Sequence, residues 1–225
     1  SGLEIKILVI YRNNEIIIPS GKQEIYPNDE IYFSVRDTDL GRALRVFGIK
    51  GQETRKVVII GAGNIGLNLI KIIEKNFPDV ICKIIESSLK RSEEIVNNMS
   101  EQNVILNGSA LDVDLLEEAG VGSSEAVIAV TDDDEVNIIS CQIAESIFKV
   151  PVKVARIKES NYLDKKWKDL FVKGGLAIDV LISPELEVAK AISRKLNTPG
   201  AFDSILLGDK LLRIIGLSIS EDCPV

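Results

Sequence analysis

From residue 56 to about residue 182, short and nearly unbroken apolar runs alternate with segments whose apolar residues recur every three or four positions. The runs Val57–Ile60, Val80–Ile85, Asn103–Leu106, Ala126–Val130, Val152–Ala155 and Ala177–Ile182 predict strands. The periodic segments near 64–75, 88–99, 112–119, 133–148 and 160–168 predict the helices between them. A further helix is expected at 184–197, with Pro184 in its first turn. Strands that are apolar at successive rather than alternate positions must be covered on both faces. The pattern therefore predicts an α/β fold built on a doubly wound parallel sheet. Right-handed crossovers leave a switch point beside the first strand of such a sheet, and ligands sit there, outside the strand C-termini.

The two ends follow another rule. Ile5–Tyr11, Glu15–Ile18 and Glu30–Val35 are β-branched and aromatic, and the R-N-N, P-S-G and P-N-D stretches beside them read as turns. Asp39–Phe47 carries a short helical pattern, and 48–55 form a polar, glycine-containing linker. After Asn197-Thr198-Pro199-Gly200 the chain returns to β character at Ser204–Leu207 and Leu211–Ile219, about a Gly208-Asp209-Lys210 turn. Three regions result: a partial β-rich subdomain over 1–50, an α/β domain over 51–199, and the start of a second β-rich subdomain over 200–225. Modules this small need further strands or a partner to cover their apolar faces. Residues 201–225 are therefore candidates to complete the sheet begun by 1–47, within one chain or between chains. The chain opens Ser-Gly with its only Met at position 99, and is expected to be a processed product or an excised fragment.

Composition narrows the classes. A hydrophobic fraction of 45% and a charged fraction of 27% predict a soluble globular chain. The net charge of 27 − 34 = −7 argues against nucleic acid or an anionic membrane surface as the main partner. No apolar run approaches membrane-spanning length, because Gly61–Gly66 and Asn68 interrupt the longest candidate. Cys82, Cys141 and Cys223 are too few and too widely spaced for a disulfide framework or a zinc site. They predict a reducing, cytoplasmic location, with Cys82 and Cys141 buried as small hydrophobes. Without histidine the chain lacks the usual proton shuttle and the commonest metal ligand.

Candidate chemistry concentrates at Lys56–Gly66, K-V-V-I-I-G-A-G-N-I-G. In this G-x-G-x-x-G pattern Gly61 permits a tight turn, Gly63 lets the backbone approach a pyrophosphate, and Gly66 lets the following helix pack closely on the strand. The helix N-terminus offers N–H groups and a positive dipole end to phosphates. Glu86, twenty residues after the last glycine, closes the second strand and is placed to accept from a ribose 2′-OH. Strand, glycines, helix, second strand and terminal acid together make the Rossmann-like dinucleotide fingerprint. Glu86 would repel a 2′-phosphate, so NADP is disfavoured, whereas NAD, NADH, ATP, ADP and AMP are not separated by it.

The other strand ends are weaker signals. Asn107-Gly108-Ser109-Ala110 would let a ligand lie close to the backbone, and Asp112 reads equally as a helix N-cap. Four acids, Asp132 to Glu135, suit a helix start, so most of them read as structural, with a phosphate-bridged divalent ion as the minor alternative. Thr131 and Asn137 are better candidates for polar contact with a ligand. Arg156 is either a phosphate partner or one half of an ion pair. Tyr162 and Lys166 have the spacing of a short-chain dehydrogenase pair, but that family's glycine pattern and serine spacing are missing.

GAGNIG, Ile85-Glu86, the N-G-S-A stretch, V-T-D-D-D-E-V-N and the I-S-P-E-L start of the last helix together resemble an RCK (KTN) domain, most closely that of TrkA-like regulatory subunits of Trk-type potassium uptake systems. Residues 56–197 resemble the nucleotide-binding core. The two β-rich ends resemble portions of the small C-terminal RCK subdomain, from two successive copies. The resemblance implies binding of NAD(H) or an adenine nucleotide, homo-oligomerisation as a dimer or tetramer, and docking on a membrane potassium-translocating subunit at the cytoplasmic face of the inner membrane. The residues offer no hydride-acceptor site, general acid or base, or substrate domain beyond the core, so a regulatory module and not an enzyme is expected. By position, Gly61, Gly63, Asn64, Ile65 and Gly66 would hold the pyrophosphate. Glu86 would bind the adenosine ribose, with Ser87 and Arg91 nearby. Gly108, Ser109 and Ala110 would line the adenine side, and Thr131, Asp132 and Asn137 the far side. Ser109 stands where the family commonly has Asp. The rival expectations are an NAD-dependent oxidoreductase whose catalytic residues lie elsewhere, and a purely structural interaction domain.

Overall fold

Four consecutive residues, Val57–Ile60, are all buried, which requires a strand covered on both faces. The computed structural model describes residues 2–49, 56–96, 99–164, 167, 175, 176, 178–207 and 212–219. In chain order these form β1 (Ile5–Arg12), β2 (Glu15–Ile17), β3 (Glu30–Val35), α1 (Leu40–Val46), β4 (Lys56–Ile60), α2 (Asn64–Asn76), β5 (Ile81–Glu86), α3 (Leu89–Val96) and β6 (Val104–Asn107). There follow α4 (Val113–Glu118), β7 (Ala126–Ala129), α5 (Asp134–Ser146), β8 (Val152–Arg156), β9 (Val180–Ile182), α6 (Pro184–Asn197), β10 (Ala201–Leu207) and β11 (Leu212–Leu217). Two units are distinguished, Glu53–Ala189 on the one hand and Ser1–Gln52 with Lys190–Val225 on the other.

The first of these units is the expected doubly wound sheet. Six strands run in the order β6-β5-β4-β7-β8-β9, each pair parallel. The period of two sorts the strand residues onto two faces. Val58, Ile60, Val127, Ala129 and Ala155 pack with Leu116 of α4 and Ile138, Cys141 and Ala144 of α5. Val57, Ile59, Cys82 and Ile84 pack with Ile70 and Ile73 of α2 and Ile95 of α3. The chain leaves β4 toward β5 and β6, then returns to lay β7 on the other side of β4. The switch point is therefore at the β4 and β7 C-termini, as the pattern predicts. Over 160–168, where a helix is expected, Ser160–Leu163 form a 3-10 turn and Trp167 is helical; positions 165, 166 and 168 lie outside the described residues, as does Ala177.

The other unit carries two small antiparallel sheets. Asn13 and Asn14 have φ of 51° and 65°, the conformation a two-residue hairpin turn requires, and they join β1 to β2. The order is β2-β1-β3. Arg12 closes this sheet on the following loop, donating from Nε and Nη2 to the two Asp29 oxygens at 2.7 and 2.6 Å and lying 4.4 Å over the Tyr26 ring. That pairing, with the Tyr26 N–H, holds the Asp29 carboxyl down at about 2. β10 and β11 form a separate two-stranded ladder. Residues 201–225 thus do not complete the sheet of 1–47 within one chain among the described residues. A strand closes a loop most readily with its sequence neighbour, and β10 and β11 do so. Helix α6 begins in one unit and ends in the other. Among the described residues no helix is long and apolar enough to cross a membrane.

Candidate functional site

The bend after β4 is where close approach is enforced. Gly61 has φ +95°, and a Cβ there would stand 2.9 Å from the Thr131 Cα and N. A Cβ on Gly66 would collide with the Gly61 carbonyl oxygen. Gly66 therefore serves helix–strand packing, and it does not line the cleft. Gly63 is different. Its backbone is extended, at φ −70° and ψ −170°, and the nearest group to a Cβ there is the Arg91 guanidinium at 3.9 Å. As the N-cap of the thirteen-residue α2, it provides no side chain for the first-turn amides. The helices α4 and α5 are instead capped by carboxylates, Asp112 accepting from Asp114 and Leu115 N–H and Asp133 from Val136 N–H.

Glu86 ends β5 opposite this bend and is only 6% exposed. One oxygen accepts from the Ala62 N–H at 2.9 Å, the other from the Ser88 N–H at 2.8 Å. The carboxylate thus ties the glycine bend to the β5–α3 turn, while each oxygen retains lone-pair capacity for a further donor. Between them lies a cleft of about 820 Å³, within the range of roughly 300–1,000 Å³ typical of small-molecule sites. Gly61, Gly63, Asn64, Ile65, Glu86, Ser87, Arg91, Gly108, Ser109, Ala110, Thr131 and Asp132 all line it. Twelve of the fourteen residues expected at the site are brought together there; the exceptions are Gly66 and Asn137.

Asn137 is fully buried and faces the protein. Its Oδ1 accepts from the Thr131 N–H and hydroxyl at 2.9 and 2.7 Å, and its Nδ2 donates to the Thr131 and Arg156 carbonyls at 3.2 and 3.0 Å. It fixes the β7–α5 turn to the end of β8 and has no capacity left for a ligand. The acid run is likewise engaged. Asp132 pairs with Arg156 at 2.8 Å and Lys158 at 3.5 Å, which lowers its pKa. Asp134 accepts from the Lys158 and Glu159 N–H groups, and Glu135 from the Tyr162 hydroxyl at 2.7 Å. This last bond raises the Tyr162 pKa; Lys166, which shares its dehydrogenase-like spacing, lies outside the described residues. No group of three or more Cys, Asp or Glu placed to hold a metal occurs among the described residues.

Sequence reasoning left Ser88 and Asp133 out of the lining and named Arg156 only as one of two readings; all three line the cleft. The available signal was positional, since each sits at or just beyond the C-terminal end of a strand. The apolar walls, Ile60, Ile85, Val130 and Val136, come from the same strand ends and the first turn of α5.

Fold, switch point and glycine bend together define a Rossmann-like α/β domain of the nucleotide-binding class. The chain belongs to the TrkA-N domain family, whose pattern it matches over residues 57–184. The Trk system potassium uptake protein TrkA of Azorhizobium caulinodans is 39% identical over 170 residues, or 76% of this chain and 36% of that protein. The chain spans little more than a third of the length of such curated relatives. Among solved structures, the GsuK RCK domain superposes with a TM-score of 0.57 at 17% identity, covering 86% of this chain and 39% of that one. The GsuK channel bound to NAD does so at 0.56 and 18%, covering 86% and 32%. At such identity these likenesses speak for the fold, and the fold is that of RCK domains.

Proposed function

We propose that the cleft binds an adenine nucleotide, NAD(H) first and ATP, ADP or AMP in competition, and that the domain is a non-enzymatic regulatory part of a potassium-uptake system. The observation that carries this reading is the N-terminus of α2, left without a side-chain cap, beside a buried carboxylate that lines the same cleft. The α2 amides hold the diphosphate, and Glu86 accepts from the ribose hydroxyls with the lone pairs left over from Ala62 and Ser88. The NAD in the related GsuK channel and the potassium-uptake names of the sequence relatives support the ligand and the process. In this reading 51–199 form the nucleotide domain. The chain assembles as a homo-oligomer and docks on a membrane potassium-translocating subunit at its cytoplasmic face. The nucleotide regulates only if it binds two arrangements of that assembly with different affinity.

Calorimetry with NADH, NAD, NADPH, ATP, ADP and AMP tests the site. Saturable NADH binding is expected, with NADPH roughly ten-fold weaker or more because its 2′-phosphate meets Glu86. Glu86→Gln narrows that gap. Heat from none of the nucleotides overturns the reading, and NADH turnover with a carbonyl substrate replaces it with an oxidoreductase.

A further inference from the structure

Arg156, the last residue of β8, stands in the cleft wall with 13% of its side chain exposed. Its register opposite Ile182 of β9 sets it beside the start of α6. Nη1 donates to Asp132 at 2.8 Å and to the Thr131 carbonyl at 3.4 Å, and Nη2 donates to Glu185 at 3.4 Å. Nε is buried, and among the described residues no acceptor lies within its reach. A buried N–H without an acceptor carries an uncompensated desolvation penalty. The two carboxylates that hold the other end are 80% and 58% exposed, so their hold is screened by water. The result is a desolvated, incompletely satisfied cation gripped by two solvated acids at the edge of an anion-binding cleft.

We propose that Arg156 is a ligand-operated latch: a phosphate of the bound nucleotide takes its guanidinium from Glu185 and so frees the first turn of α6. This rests on the nucleotide reading above and names the residue that carries occupancy out of the cleft. A phosphate presents several oxygens to the planar fork and forms a bidentate, charge-assisted pair that engages Nε as well as an Nη. Glu185 lies in the first turn of α6, where the helix dipole stabilises its carboxylate without Arg156, so the exchange of partners is close to balanced before the phosphate arrives. The first turn of α6 belongs to the same unit as Arg156, which holds it through Glu185.

The test is a double-mutant cycle on the whole chain, with ADP and NADH as probes and adenosine as the phosphate-free control. Glu185→Gln removes the competitor and tightens the diphosphate ligands about three-fold, leaving adenosine unchanged. Arg156→Gln weakens them about ten-fold, and adding Glu185→Gln to it then changes nothing. Should Arg156→Gln fold poorly, Arg156→Lys, which keeps the charge but not the fork, weakens them in the same direction. In the wild type, ADP also speeds hydrogen exchange at the Glu187 amide, which bonds to the Ser183 carbonyl at 2.9 Å. Unchanged diphosphate affinity in Glu185→Gln, with the wild type still binding, overturns the latch and leaves the nucleotide reading standing. A wild type that binds none of NADH, NAD, ATP, ADP and AMP removes both.

Discussion

Two turns leave the sheet side by side, from β4 into α2 and from β7 into α5, and they are built on opposite rules. The first is made of glycines, one at positive φ, and leaves the N-terminus of its helix without a side-chain cap. The second is made of polar side chains that satisfy one another: Asp133 caps α5, Thr131 bonds to Asn137, and Asn137 reaches the Arg156 carbonyl. The two touch, since Gly61 has room only for hydrogen against Thr131. One turn is therefore rigid because its donors and acceptors are matched internally, and it serves as the wall against which the unmatched turn presents amides to a ligand.

The comparison breaks most severely at Gly66. Gly66→Ala drives a methyl into the Gly61 carbonyl, and a loss of about 3 kcal/mol together with loss of nucleotide binding is expected in urea titrations and calorimetry. Gly63→Ala, three residues earlier, meets only the Arg91 guanidinium at ordinary contact distance, loses less than about 1 kcal/mol as a poorer N-cap, and so serves as its control. Next comes Asn137→Ala, which strands the Thr131 N–H and takes one donor each from the Thr131 and Arg156 carbonyls. It lowers stability by about 2 kcal/mol although it removes no ligand contact. The smallest effects have opposite signs. Asp133→Ala removes the α5 cap for a loss of about 1 kcal/mol, whereas Gly63→Asp gives α2 the cap it lacks and gains about 0.5 kcal/mol. That same Gly63→Asp carboxylate occupies the helix amides, so nucleotide binding disappears as the melting temperature rises. Retained binding in Gly63→Asp would place the anion somewhere other than the α2 N-terminus.

What the chain announces locally, it announces well. The β-branched runs and the glycine spacing are features of a few adjacent residues, and the strands, α2 and the Glu86 position follow from them. Asn137 shows where this stops. In the chain it is a polar residue one turn into a helix behind four acids, which reads as ligand-facing. Its burial depends on β8 arriving alongside with the Arg156 carbonyl nineteen residues later. Asp134 was opaque for the same reason, because the amides it accepts from belong to Lys158 and Glu159. The Arg156 environment, made by β7, β8 and α6 together, is likewise written in no single stretch. The β-rich ends were less legible, since strand character alone names no partner: β10 takes β11, and the sheet of β1–β3 was only one candidate for it.

The two buried thiols lie on opposite sides of the sheet, Cys82 on β5 among the side chains under α2 and α3 and Cys141 on the inner face of α5, in the cluster it shares with α4. Burial pushes them up to about 11 and about 12, so neither reacts while its helical layer is closed. With Cys223 replaced by serine, maleimide capture at each thiol becomes a clock for the opening of one layer alone. Nucleotide added during that labelling reports which half of the sandwich it clamps.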